Sequence, residues 1–191
     1  MGVKLVLASS SPRREELLKR LGLNFTIVPS KINEDIEGLA PDLLVQELAR
    51  AKAEEVAELV EDTVIIAADT VVVNNNGIIG KPEDKNEARE MLKCLQGKCH
   101  TVFSGIAVLS TEEGRSLVDV DRTEVFLRQM DEQEINEYVD TGEPLDKAGS
   151  YGIQGFGGIF VEKINGSYFT VMGLPIHKLA LMLKKFNINI I

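Results

Sequence analysis

The sequence is poor in cysteine and in long apolar stretches, and both shortages narrow the kinds of protein that it can encode. Only two of its 191 residues are cysteines, Cys94 and Cys99. So few cysteines argue against a disulfide framework and favour a cytoplasmic location. No basic region followed by a long apolar stretch opens the chain, so we expect no signal peptide. No apolar run approaches the ~18 residues that a membrane-spanning helix needs, so we expect no membrane partner.

The sequence also lacks an excess of positive charge. It has 21 lysines and arginines against 30 acidic residues, which gives a formal net charge of −9. This balance argues against polymeric nucleic acid or an anionic membrane surface as the main partner. A small anion is still possible, because a local basic cluster can hold one in an acidic protein. The two histidines and two cysteines have no recognised ligand spacing, which argues against a metal at Cys99 and His100.

The apolar residues that are present predict strands mixed with helices. We expect an α/β protein with a mixed sheet. Because the chain has no repeat and no Pro/Ser-rich linker, we expect residues 1–191 to form a single domain. The predicted strands cover residues 3–8, 25–28, 64–73, 101–109 and 117–127, and a further hairpin covers 159–164 and 168–172 across Asn165 and Gly166. The predicted helices cover residues 12–21, 41–60, 86–95, 132–139 and 174–186.

The stretch ASSSPRR places two arginines at the start of the first predicted helix. A helix N-terminus has unpaired N–H groups and a partial positive charge, so arginine is disfavoured there unless an anion binds. Ser9 to Ser11 add hydroxyl donors beside Arg13 and Arg14. The stretch therefore predicts a phosphate site. The alternative is a capped helix with two solvated arginines.

Asp69 and Thr70 interrupt the apolar strand VIIAADTVVV. A carboxylate there costs several kcal/mol of stability unless it is paired, hydrogen-bonded or metal-bound. We therefore favour a functional role for Asp69, with Mg²⁺ as the natural candidate for the bound metal ion. The alternative is a hydrated strand end.

Lys52 lies on the apolar stripe of its predicted helix, where its ammonium either points inward or extends to water. Lys81, in GKP, is a further candidate cation or an ordinary loop lysine.

The segment DKAGSYGIQGFGG, residues 146–158, contains five glycines. Glycines let a backbone approach a ligand closely, and the amide of Gln154 is able to read a base edge. The alternative is a long flexible loop.

The acidic residues Glu34, Asp35 and Glu37 are candidate metal ligands or a solvated acidic loop. Several cations, one carboxylate in an apolar strand and a helix N-terminus together suit a polyphosphate with a metal ion.

Taken together, these motifs resemble the Maf family of nucleoside triphosphate pyrophosphatases. The matching stretches are ASSSPRRxELL, the lysine of ARAKA, AADT, GKP, EPxDKAGSYGIQG and NGSYFTVMGLP, and they follow the family's order from residue 8 to residue 175. The resemblance implies an elongated, two-lobed α/β fold with a mixed sheet flanked by helices. That fold is similar to inosine triphosphate pyrophosphatases and has a cleft between its lobes.

The resemblance also implies an activity, namely hydrolysis of a nucleoside triphosphate to the monophosphate and pyrophosphate with Mg²⁺ or Mn²⁺. It makes Asp69 the proton acceptor and Glu34 a metal-binding acid, and we expect Asp69 to be a metal ligand together with Glu34. It further implies a homodimer and a link to cell-division septum formation. The residues it assigns to the phosphates are Ser9, Arg13, Arg14, Lys52 and Lys81, and those that mark the dTTP/UTP branch are Arg13, Thr70 and Gln154.

Two other interpretations stay open at this point. One is a non-catalytic nucleotide-binding regulator of cell division, although a pure binder has less need of a buried acid. The other is a nucleotidyltransferase, which also reacts at the α-phosphorus but needs a second pocket for a sugar phosphate. The sequence leaves open whether the activity cleans nucleotide pools or controls growth.

Overall fold

The computed structural model describes residues 3–34, 36, 38–75 and 77–191, and none of its helices is long and apolar enough to cross a membrane. Three short 3-10 segments, Glu143–Asp146, Ala148–Ser150 and Phe156–Phe160, accompany the regular elements. The strands and α-helices, in chain order, are β1 (Lys4–Leu7), α1 (Pro12–Arg20), β2 (Thr26–Ile27), α2 (Pro41–Ala57), β3 (Thr63–Asn74), β4 (Gly77–Ile79), α3 (Lys85–Leu95), β5 (Cys99–Ser110), β6 (Arg115–Leu127), α4 (Glu132–Asp140), β7 (Val161–Asn165), α5 (Tyr168–Val171) and α6 (Ile176–Lys184).

The strands form a mixed sheet, which confirms the predicted α/β class. Its hydrogen-bonded order is β2-β1-β3-β5-β6-β7, and β4 pairs with β3. β1 runs parallel to both β2 and β3, whereas the β3–β4 and β6–β7 pairs are antiparallel. Because β1 and β3 pair in parallel, both are covered on two faces and read as continuous apolar runs.

The chain divides into two compact units, each with its own apolar core. The first unit contains Met1–Asp69, Ser104–Asp121 and Gly173–Ile191, and the second contains Thr70–Phe103 and Arg122–Met172. One cluster of the first core is rich in small residues, namely Ala49, Ala53, Ala67 and Ala107. The side chains that fill the second core include Leu92, Leu95 and Phe160. The division falls within β3, β5 and β6, which explains why no linker composition marks it. The expected single domain stays a prediction.

In the first unit, helix α2 lies so close to strand β5 that residue 105 has to be glycine. A Cβ atom on Gly105 would collide with the carbonyl oxygen of Val45 and would lie 2.8 Å from the backbone nitrogen of Gln46. Val45 and Lys52 are seven residues apart on α2, which is about two helical turns. The tight contact at Gly105 therefore helps to fix the position of Lys52.

The hairpin predicted over residues 159–164 and 168–172 is wrong. β7 pairs antiparallel with β6, with Val125 opposite Ile164, and the segment Tyr168–Val171 is helical. After the turn at Gly166, the hydroxyl of Thr123 accepts from the Ser167 amide at 2.9 Å and donates to the Ser167 carbonyl at 3.0 Å. These bonds direct the chain away from β7, so a tertiary contact overrides the strand propensity of the aromatic residues.

His100 is a buried titratable group in the second unit. It is 3% exposed, and its Nε2 atom lies 2.7 Å from the hydroxyl oxygen of Tyr151. The described residues offer its buried Nδ1 atom no hydrogen-bond partner. Burial lowers the pKa of His100 to about 4, so the imidazole is neutral in the folded protein near neutral pH.

The substitution Gly105→Ala should destabilise the first unit, because the clash is with helix backbone and cannot be relieved by a rotamer change. We expect the free energy of unfolding to fall by about 1–3 kcal/mol, measured by urea denaturation. Gly80→Ala is the control, because a Cβ atom there would meet no described atom within 4 Å. An unchanged unfolding midpoint for Gly105→Ala would contradict the close approach of α2 and β5.

His100 should make stability fall as the pH falls. The unfolded chain binds a proton near pH 6.5, whereas the folded chain resists protonation until about pH 4. Stability is therefore complete above pH 6.5 and is lost progressively below it, by about 2 kcal/mol between pH 7.5 and pH 5. Urea denaturation across this range should show a shallower pH dependence for His100→Asn. Identical pH profiles for both proteins would contradict the buried neutral imidazole.

Candidate active site

A buried ion pair lies at the centre of the candidate site. Lys52, on α2, and Asp69, on β3, each have a side chain only 10% exposed. The Lys52 Nζ atom lies 2.6 Å from Asp69 Oδ1 and 2.6 Å from Glu34 Oε1. Of the two alternatives for Lys52, the structure therefore shows the inward one, and its ammonium is shared by two carboxylates. The carboxylate inside the apolar strand is paired with a charge.

The sequence around Asp69 explains how a carboxylate reaches this position. Residues 63–68 of β3 are all buried, so the strand cannot shift without exposing apolar surface. Asp69 itself is 7% exposed. An isolated carboxylate there would cost several kcal/mol, and the adjacent ammonium offsets that cost. Strand β3 and helix α2 therefore depend on each other for the placement of this pair.

The start of α1 contributes a second cationic group. Ser11 is at the N-cap, but within the described chain its side chain makes no capping hydrogen bond. The Ser9 hydroxyl oxygen instead accepts from the Ser11 amide at 3.2 Å and from Arg14 Nη1 at 3.1 Å. Arg14 Nε also donates to the carbonyl oxygen of Gly173 at 2.8 Å. Arg14 is therefore bound within the fold, so the alternative of two solvated arginines is wrong for this residue.

The charges at this site act on one another. Burial lowers the pKa of the Arg14 guanidinium from its ordinary value, Asp69 and Glu34 raise it, and Arg13 lowers it. The first unit therefore brings together three cations, Arg13, Arg14 and Lys52, and two carboxylates. Among the residues that the structure describes here, cations outnumber carboxylates beside a helix N-terminus, and this arrangement favours an anion with several oxygen atoms.

The other predicted site residues belong to the second unit. Thr70 follows Asp69 on β3 and is partly buried, whereas Lys81 and Gln154 are exposed. Within this unit, the Gly149 amide donates to the carbonyl oxygen of Gly80 at 3.0 Å. This bond joins the beginning of the glycine-rich segment to the residue before Lys81. Two of the acidic residues considered as metal ligands, Asp35 and Glu37, lie outside the described residues.

Asp69 and Glu34 are suitable ligands for a divalent cation. Both present hard carboxylate oxygens to the same ammonium, and Mg²⁺ is commonly held by one or two carboxylates together with substrate phosphates. Across the described ranges, no group of three or more histidine, cysteine or acidic residues forms a ready cation site. The residues therefore fit a cation that binds together with a phosphate-bearing substrate.

Glu143 was not identified by sequence reasoning, although it organises the glycine-rich segment. Its carboxylate accepts from the Phe156 amide at 2.8 Å, the Gly157 amide at 3.0 Å and the Tyr138 hydroxyl at 2.9 Å. A glutamate after a Thr-Gly turn carries no pattern that indicates this role. The signal that was available is its place in EPxDKAG, a few residues before the glycines.

Two glycines of the glycine-rich segment, Gly155 and Gly157, are needed for packing, which the sequence did not reveal. A Cβ atom on Gly155 would collide with the Glu143 carboxylate, and one on Gly157 would lie 2.5 Å from the Tyr138 hydroxyl oxygen. These two glycines make room for the protein's own side chains. The expectation that they allow close approach of a ligand stays a prediction.

The fold and the site define a mixed α/β protein with a buried carboxylate beside the cations Lys52 and Arg14. The Maf family model, described as Maf-like protein, matches residues 4–186. The chain therefore belongs to the Maf family, as its motifs indicate.

Curated relatives align along nearly the whole chain. A dTTP/UTP pyrophosphatase of Caldicellulosiruptor saccharolyticus is 47% identical over 98% of this chain and 96% of its own length. Proteins of the same name from Pelotomaculum thermopropionicum and Alkaliphilus metalliredigens are 48% and 49% identical, each over 98% of this chain and 99% of the relative.

Two solved structures show a more distant likeness. A nucleoside-triphosphatase/dITP/XTP pyrophosphatase from Mycobacterium abscessus matches with a TM-score of 0.42 and 16% identity, over 65% of this chain and 72% of that chain. The Staphylococcus aureus Ham1 protein matches with a TM-score of 0.47 and 15% identity, over 65% of this chain and 71% of its own.

Breaking the buried pair should destabilise the protein strongly. Lys52→Met leaves the Asp69 carboxylate buried without its ammonium, and we expect the free energy of unfolding to fall by about 3 kcal/mol. The double variant Lys52→Met/Asp69→Asn should recover part of this loss, because residue 69 no longer carries a buried charge that has lost its ammonium. Urea denaturation of the three proteins measures both effects.

Lys19→Met is the matched control. Lys19 forms an exposed ion pair with Glu15, and its side chain is 66% exposed. Surface pairs of this kind contribute about 0–1 kcal/mol. If the two lysine variants lose the same stability, Lys52 and Asp69 do not form a buried pair.

Proposed function

We propose that this chain is a nucleoside triphosphate pyrophosphatase that hydrolyses dTTP and UTP to the monophosphate and pyrophosphate. Modified pyrimidine nucleotides are further candidate substrates. The observation that carries the proposal is the buried Asp69 carboxylate, which Lys52 and Arg14 surround with positive charge. The names of the three relatives, at 47–49% identity over nearly the full chain, support the same substrates.

In this proposal, Asp69 accepts the proton of a water molecule that attacks the α-phosphorus. The bond to the leaving pyrophosphate breaks as the new P–O bond forms. Asp69 is suited to this role because its carboxylate is held by Lys52 at 2.6 Å and shielded from bulk water. Such a group is oriented before the substrate arrives, and positioning of this kind supplies much of the rate in phosphoryl transfer.

The cations bind the phosphates and stabilise the negative charge of the leaving group. Lys52 has three N–H donors, and the two carboxylates leave capacity for a phosphate oxygen. Arg14 and Ser9 act from the start of α1, with Arg13 beside them and Lys81 as a further phosphate ligand. Preorganised donors of this type stabilise developing charge more effectively than water does.

Asp69 and Glu34 would hold the divalent cation, Mg²⁺ or Mn²⁺. When bound, that ion would neutralise phosphate oxygens and make the α-phosphorus a better electrophile.

In this proposal, Arg13, Thr70 and Gln154 recognise the nucleobase of the substrate. The Gln154 amide both donates and accepts a hydrogen bond, as a uracil or thymine edge requires. The cytoplasmic location, the homodimer and the link to septum formation stay predictions.

The product pattern tests the proposed reaction. The purified protein is incubated with UTP, dTTP, CTP, ATP and GTP, with and without Mg²⁺, and the products are separated by chromatography. We expect UMP and dTMP with pyrophosphate, formed only with the metal ion. UDP with free phosphate would overturn attack at the α-phosphorus. Binding without turnover would favour a regulator, and turnover only with a sugar phosphate would favour a nucleotidyltransferase.

Asp69→Asn tests the proposed proton acceptor in the same assay. Asparagine keeps the shape and a hydrogen bond to Lys52 but is a far weaker base, so kcat should fall by about 100-fold or more. Asp42→Asn, in the first turn of α2, removes the same charge outside the site and should leave kcat unchanged. Full activity of Asp69→Asn would remove Asp69 from the mechanism.

A further inference from the structure

The exposed Gln154 lies in a segment with little regular structure, between the 3-10 segments Ala148–Ser150 and Phe156–Phe160. A side chain can discriminate between bases only if its backbone is held in place. The hydrogen bonds around this segment show what holds it. They converge on two side chains from outside the segment, Tyr138 and Glu143.

These two side chains hold the backbone on both sides of Gln154. Two residues before it, the Gly152 amide donates to the Tyr138 hydroxyl oxygen at 3.1 Å. Two and three residues after it, the Phe156 and Gly157 amides donate to the Glu143 carboxylate at 2.8 and 3.0 Å. The Tyr138 hydroxyl in turn donates to Glu143 Oε1 at 2.9 Å. One connected pair therefore closes the loop that contains Gln154.

The pair is itself firmly anchored. Tyr138 is 4% exposed, and its ring meets the Phe160 ring edge-to-face at a centroid distance of 5.2 Å. Burial raises the pKa of the Tyr138 hydroxyl, so this group stays protonated and keeps its proton for Glu143. The Lys147 ammonium donates to the Glu143 backbone carbonyl at 2.5 Å. The loop is thus tied to α4 and to the core of the second unit.

The fit between loop and anchor is also steric. A Cβ atom on Gly155 would overlap the Glu143 carboxylate, and one on Gly152 would lie 2.7 Å from Lys147 Cε. The segment therefore follows the surface of its anchor closely. A change at Glu143 should alter the path of the backbone on which Gln154 is carried.

We propose that Glu143, together with Tyr138, is a positioning residue that sets the orientation of Gln154 and thereby the choice of base. This inference rests on the proposed function, since it assumes that Gln154 contacts the pyrimidine. Glu143 acts through the loop and does not touch the reacting atoms. Its removal should therefore impair recognition of the base while leaving the chemical step intact.

Glu143→Gln is the most informative variant, because it keeps the size of the side chain. The three donors occupy both carboxylate oxygens, so the amide nitrogen of glutamine must face at least one of them. We expect KM for UTP to rise about tenfold with little change in kcat, and the preference for UTP over CTP to fall. Amide hydrogen exchange should accelerate at Phe156 and Gly157.

Glu162→Gln, on the exposed face of β7, is the matched control and should leave kinetics and exchange unchanged. Gln154→Ala should reproduce the loss of base preference, and adding Glu143→Gln to it should change the base preference no further. If Glu143→Gln fails to fold, Tyr138→Phe replaces it, because it removes only the hydroxyl. This variant should change KM, base preference and amide exchange in the same direction but by smaller amounts.

Three results would overturn the inference. One is unchanged exchange at Phe156 and Gly157, and another is faster exchange with an unchanged preference for UTP over CTP. The third is an equal fall in kcat for every nucleotide, which indicates a merely structural role. If the unsubstituted protein hydrolyses no UTP, the proposed function fails. Calorimetric binding of UTP and CTP to the same variants then decides whether Glu143 governs the choice of base.

Discussion

The contact between the Lys52 ammonium and the Asp69 carboxylate is the constraint on which the rest of the candidate site depends. Each group would be unfavourable in its buried position without the other. Their pairing requires helix α2 and strand β3 to keep a fixed separation. Gly105 serves the same end, because the absence of a side chain there lets α2 approach the sheet. Glu34 then adds a second, more exposed carboxylate to the same ammonium.

An acidic protein can still hold a polyphosphate, because charge acts over short distances in salt. The net charge of −9 is spread over 191 residues, and at physiological ionic strength it is largely screened beyond about 8 Å. Lys52 and Arg14, the cations that act on Asp69, supply positive charge at the site itself. The surplus acidic charge elsewhere disfavours long polyanions, which need an extended basic surface.

The sequence predicted the parts of the fold that local patterns govern. Apolar runs indicated β1 and β3, and the spacing of apolar residues placed Lys52 on the inward stripe of α2. Contacts between distant residues were beyond its reach. The hairpin predicted over residues 159–164 and 168–172 is wrong because Thr123, on another strand, is hydrogen-bonded to Ser167. The hydrogen bond from Arg14 to Gly173 likewise joins residues 159 positions apart. Neither contact leaves a periodic signal.

The glycine-rich segment shows a different limit. Its composition suggested a loop near a ligand, but glycine serves equally where a neighbouring side chain needs the space. Gly152, Gly155 and Gly157 lie against Lys147, Glu143 and Tyr138, respectively, and only the packed structure reveals those neighbours. Glu143 lies before the glycine-rich segment, so the composition of the segment alone does not indicate its role.

This packing divides the segment into positions that tolerate change and positions that do not. A side chain at residue 155 or 157 would displace Glu143 or Tyr138, and one at residue 152 would displace the Lys147 side chain, whereas Gln154 and Phe156 project from the same backbone as exposed side chains. Substitutions at these two positions leave the scaffold in place. A library that randomises Gln154 and Phe156 while keeping the three glycines is therefore the economical route to an enzyme with a different nucleotide preference.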